Sequence, residues 1–67
     1  MNNVDKKIAE YIAWGYMGNH VAILQEQSML RHDFMQTNDL AEKQDINDAI
    51  EALDVLEMPI LKEIMGA

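Results

Sequence analysis

Seven apolar residues in the second half of the chain, Ile46, Ala49, Ile50, Leu53, Leu56, Ile60 and Ile64, recur at steps of three and four. At about 100° of rotation per residue they fill a sector roughly 100° wide, the face that a surface helix buries against a core. The spacing predicts a helix over about 40–65, which the rest of the chain must cover. Asp39-Leu40-Ala41-Glu42 sets its start, with an acceptor at the N-cap and a carboxylate three positions on; Asp45 offers a later start. Pro59 lacks an amide hydrogen and disfavours helix before it, so a kink or a fresh start is expected there, and Gly66 ends the element.

In the first half, Asn2 or Asn3 can cap a helix with Asp5 in its first turn. That helix is expected over about 4–35, with the turn at 36–39 supplied by Thr37, Asn38 and Asp39. Its apolar face starts with Val4, Ile8, Tyr11 and Ile12 and continues through Gly15, Gly18, Ala22 and Met29. Gly15, Gly18 and Ala22 would let a partner helix pack closely. The competing reading is a break at Gly18-Asn19, where Gly ends one helix and Asn19 caps the next. A second apolar face, Trp14, Met17, Val21 and Leu24, lies roughly 100° or more around a continuous helix. One partner helix cannot cover both faces. Either a bend folds them into one core, or the second face meets another protein, with Trp14 as a large interface anchor. The fold class is all-α: an antiparallel helical hairpin, one domain over 1–67, in which each arm has one candidate break, near Gly18-Asn19 and near Pro59.

Size changes this picture. A 67-residue domain buries only about 60% of its unfolded surface and usually needs a staple. There is no cysteine for a disulfide, and two histidines cannot close a zinc site. With 49% apolar residues, more than one two-helix layer can hide, assembly into a homo-oligomeric helical bundle is the remaining staple. No window reaches the eighteen or so apolar residues of a membrane span and the first residues are polar, so a cytoplasmic protein is expected.

Charge narrows the partners. A net charge of −7 disfavours direct binding to nucleic acid or an anionic membrane and favours a neutral or basic protein. Residues 39–67 hold eight acids and two lysines against four acids and three bases in 1–38. Asp39, Glu42, Asp45, Asp48, Glu51, Asp54 and Glu57 fall at every third position, a ridge that winds around the helix by about 60° per step. As a solvated face it keeps the chain soluble; as a functional surface it would imitate DNA phosphates, with Asp48, Glu51 and Asp54, opposite the stripe, as its most exposed members.

No catalytic, metal or cofactor motif stands out. Ser28 and His32 lie four apart with Asp33 adjacent, but an open helix offers neither an oxyanion hole nor an acid oriented behind the histidine. His20 has no ligand partner at helical spacing. Asp45, Asn47 and Asp48 lack the Gly and distal Glu of a calcium loop, and Gly15-Tyr16-Met17-Gly18 lacks the strands and positive surface of an RNA-binding module. The methionines can fill gaps in a core or form an adaptable contact surface.

The leading functional expectation is a small, acidic, non-enzymatic interaction protein, an inhibitor or adaptor of the kind phages and mobile elements encode. It would use Trp14, Met17, Val21 and Leu24, or the acidic ridge, to contact a target, and the apolar set could equally meet another copy of itself. The alternatives are a DNA mimic acting through its acidic helix, and a small-ligand binder whose pocket forms between subunits from Asn19, His20, Gln25 and Arg31.

Overall fold

A computed structural model describes residues 2–66, with side chains through Met58. The chain forms three helices: α1 (Asn3–Ala13), α2 (His20–Gln36) and α3 (Leu40–Gly66), with no strand among the described residues. The helix expected over 4–35 is therefore two helices, and residues 14–19 form a corner between them.

The corner is encoded by two glycines. Asn2 caps α1 by accepting from the Asp5 amide at 2.8 Å. After Trp14 the chain enters Gly15 at φ +86°; the Gly15 amide donates to Ile12 O at 3.1 Å and the Tyr16 amide to Tyr11 O at 3.0 Å. That bond pair is a Schellman motif, which needs the left-handed conformation glycine adopts freely. Tyr16 then packs edge-on against Tyr11, the apolar contact that accompanies the motif (centroids 5.0 Å apart, 67° between planes). A second turn follows, closed by the Asn19 amide on Tyr16 O at 3.0 Å, with Gly18 at φ +77° in its third position. Asn19 caps α2 by accepting from the Ala22 amide at 3.1 Å. Gly15 and Gly18 are thus turn residues, correcting the expectation of close helix packing. A Cβ on either would meet nothing within 4 Å, so their left-handed φ is what requires glycine. Ala22, the third residue of that set, is half-buried on α2.

Between α2 and α3 the predicted caps are shared out. Asp39 accepts from the Ala41 amide at 2.9 Å; Glu42 accepts from the Thr37 hydroxyl at 3.1 Å, and that hydroxyl accepts from the Asp39 amide at 3.2 Å. The carboxylate at the third position supports the cap through a hydroxyl instead of reaching back directly. α3 then runs through Pro59 as one helix, so Pro59 starts no new element. The carbonyl it leaves without a donor is that of Val55, a residue on the exposed side of α3, where water can serve it.

Partners show the directions. His20, Gln27 and Phe34 of α2 meet Glu57, Ile50 with Asp54, and Lys43 of α3, so these helices are antiparallel. Asn3 and Lys7 at the start of α1 meet Asp45 and Asp48, so α1 begins beside the early part of α3 and runs along it. Both short helices pack on α3, and their own backbones do not approach each other closely.

The core is Tyr11, Ile23, Ile46, Ala49, Ala52, Leu53 and Leu56, with Val4, Ile8, Tyr16 and Leu30 packed around it. Each fully buried Leu or Ile contributes about 1.5–3 kcal/mol relative to exposure. Of the predicted stripe, Ile46, Ala49, Leu53 and Leu56 are buried and Ile50 is half-buried; Ile60 and Ile64 lie outside the described side chains.

Candidate functional site

Four exposed large apolar side chains belong to the α1–α2 corner; Ile12, Met29, Met35, Leu40, Val55 and Met58 are also exposed along the helices. Trp14 ends α1, Met17 sits in the turn, and Val21 and Leu24 occupy the first turns of α2; they are 64%, 59%, 62% and 48% exposed. The expected route to this exposure was a second face of one long helix. In the structure the chain reversal produces it: the core takes Tyr11 and Ile23 from either side of the corner, while Trp14, Met17 and Val21 between them and Leu24 just beyond stay exposed.

Tyr11 is the floor of the corner. Its ring meets Trp14 edge-on at 5.6 Å and 85°, and Tyr16 from the other side. Burial, followed by the nearby Glu26 carboxylate, pushes the Tyr11 hydroxyl up to about 12. The same two causes raise Tyr16, whose hydroxyl donates to Glu26 at 3.4 Å. Beside the corner, His20 Nδ1 meets Oε1 of Glu57, a buried residue whose Oε2 has no hydrogen-bond partner.

The three acids singled out on α3 do not share one open face. Asp48 accepts from Asn3 Nδ2 at 2.8 Å and from Gln44 Nε2 at 2.9 Å; Asp54 accepts from Gln27 Nε2 at 2.7 Å. Asp48 thus faces α1 and Asp54 faces α2, and Glu51 lies exposed between them. This corrects the placement of all three opposite the core. Asp45 is likewise engaged: the Asn3 amide at 3.0 Å and the Lys7 ammonium at 3.2 Å hold its carboxyl below the usual range.

The four polar candidates for a ligand site are not brought together. Asn19 caps α2, His20 meets Glu57, Gln25 is exposed, and Arg31 lines a different feature. That feature is an open cleft of about 370 Å³ between α2 and α3, bounded by Arg31, Phe34, Met35, Asn47 and Ile50. Ser28, His32 and Asp33 stand exposed on α2. Among the described residues no group of three or more His, Cys, Asp or Glu could hold a metal ion, and no helix is long and apolar enough to cross a membrane.

No protein-family model, curated protein or solved structure matches the chain. The corner therefore stands on its own geometry.

Sequence reasoning missed Ile23, Gln27, Ala52 and Glu57 as buried residues. Ile23 and Gln27 become legible once helical counting restarts at Asn19, because Ile23, Gln27, Leu30 and Phe34 then follow at four, three and four. Glu57 belonged to the acidic ridge, and nothing local to it signals burial.

Proposed function

We propose that this chain is a small acidic, non-enzymatic interaction protein, an inhibitor or adaptor acting in the cytoplasm through the apolar corner Trp14, Met17, Val21 and Leu24. The observation that carries the reading is the exposure of these four side chains, Trp14 foremost, around one chain reversal whose flanking residues Tyr11 and Ile23 are buried. Large exposed apolar patches mark contact surfaces, and tryptophan is among the residues that dominate them. The same surface supports assembly of the helical units into a homo-oligomer. Reading the acidic helix as a DNA mimic has less behind it, since Asp45, Asp48 and Asp54 are taken up by neighbouring side chains.

Capture of proteins from a bacterial lysate on the tagged chain tests this. The expected result is a bound protein retained at about 0.5 M salt, where the Debye length falls below about 5 Å, and lost from Trp14→Ala. Retention by Trp14→Ala, with loss when Asp48, Glu51 and Asp54 are changed to Asn and Gln, would move the contact to the acidic helix.

A further inference from the structure

We infer that the cleft between α2 and α3 is a binding site for a small monocarboxylic acid with an apolar body, whose carboxylate is held by Arg31 and Asn47 and whose body lies on Phe34, Met35 and Ile50. The site is separate from the apolar corner and does not depend on it.

Three observations converge. The first is place. Gln27 donates to Ile50 O at 3.2 Å, and the Lys43 ammonium stands 5.2 Å from the centroid of the Phe34 ring, so the two helices are tied on either side of Arg31 along α2 and of Asn47 along α3. An open volume of about 370 Å³ remains between them, within the range of small-molecule sites, about 300–1,000 Å³. Its lining comes from α2 and α3 alone, because α1 meets α3 at Asp45 and Asp48, turned by roughly 100° or more from Lys43, Asn47 and Ile50.

The second is charge. The five lining residues include no acid, in a chain that has twelve, and include its single arginine. Among the described residues the ion pairs are Lys7 with Asp45 and His20 with Glu57, which leaves the Arg31 guanidinium for an occupant. With Lys43 beside Phe34, two cations border one cleft of a chain whose net charge is −7. A guanidinium matches a carboxylate through two parallel N–H donors, and the Asn47 amide can donate a third. One negative charge suits one arginine, whereas a dianion is opposed by the net charge of the chain. The third is the apolar wall. Phe34 and Ile50 are half-buried, and Met35, 81% exposed, is unbranched and flexible enough to close over an occupant.

Nuclear magnetic resonance titration of the isotope-labelled chain with octanoate tests the site, with octanamide as the uncharged probe of the same length. Saturable shifts are expected at the amides of Arg31, Phe34, Asn47 and Ile50. Octanamide should bind about tenfold more weakly, the fold-change of one charge-assisted hydrogen bond. Arg31→Gln should weaken octanoate by the same factor and leave octanamide unchanged. Met35→Ser, at an exposed position where helical circular dichroism should be retained, should weaken both probes alike. The inference is overturned if no saturable shift appears below about 10 mM, or if the shifts centre on Trp14 instead. Equal binding of the two probes, or an octanoate affinity unchanged in Arg31→Gln, would also overturn it. Lysate capture through Trp14 reports on the corner alone, so failure of either reading leaves the other standing.

Discussion

The two seams along α3 are held differently. Where α1 meets α3 the polar contacts lie at the exposed rim: Asn3 bridges Asp45 and Asp48, and Lys7 pairs with Asp45. Where α2 meets α3 they lie inside. Gln27 is buried and donates to Ile50 O at 3.2 Å and to Asp54, and buried Glu57 meets His20. Rim pairs are solvated whether made or broken, so they add little; buried polar groups lose water and must find partners. The seams thus teach that α1 is held mainly by apolar packing, while α2 depends on a few specific hydrogen bonds as well.

The largest test of this contrast removes what the seams share. Leu53 is fully buried, and Leu53→Ala should lower stability by about 2–5 kcal/mol in urea titration. A small domain of this length has little more than that in total, so a largely unfolded variant is the expected outcome. If the loss is under about 1 kcal/mol, Leu53 does not organise the core.

Gln27 sharpens the comparison within the α2 seam. Gln27→Ala should cost about 1–3 kcal/mol through lost hydrogen bonds and a void. Gln27→Leu, which fills the space and continues the stripe of Ile23 and Leu30, should stay within about 1 kcal/mol of the native chain. If the two variants fall equally, the hydrogen bonds of Gln27 matter more than its volume.

Tyr11 supplies a pH test. Its folded pKa is raised from the ordinary 10.0 to about 12, so the neutral phenol is favoured by folding. The stability this represents is fully present below pH 10 and is lost as pH rises through about 12. Alkaline unfolding followed by circular dichroism should therefore begin above pH 10 and be blunted in Tyr11→Phe; an identical curve for the variant would place the alkaline sensitivity elsewhere.

The smallest effect belongs to the rim. Lys7→Ala should change stability by less than about 1 kcal/mol, and less still at high salt. A larger loss in thermal melts would erase the distinction between the seams.

The parts of this fold that were legible in the sequence are those whose signal is continuous. The stripe of α3 holds a single phase from Ile46 through Leu56, and the acceptors Asn2, Asn19 and Asp39 each sit at a helix start. α2 was hidden for two physical reasons. The corner resets the helical phase, so faces counted through it from α1 do not apply, and the middle of the inward face is a glutamine whose side chain has partners only in three dimensions. The acidic ridge held a clue that spacing alone could have supplied. A step of three turns the position by about 60° each time, so seven acids sweep the whole circumference and some must turn inward; Glu57 is the one that is buried. Trp14, Met17, Val21 and Leu24 were singled out from the sequence on the geometry of a continuous helix, and the structure leaves them exposed through a turn instead.

α1 is an eleven-residue helix docked on α3, with no close backbone approach to α2. Helices of that length do not persist alone in water. Undocking and melting of α1 are then one event, and the helix behaves as a single cooperative unit whose release need not disturb the α2–α3 pair. In native-state hydrogen exchange its amides should share one opening free energy, below that of the core amides around Leu53.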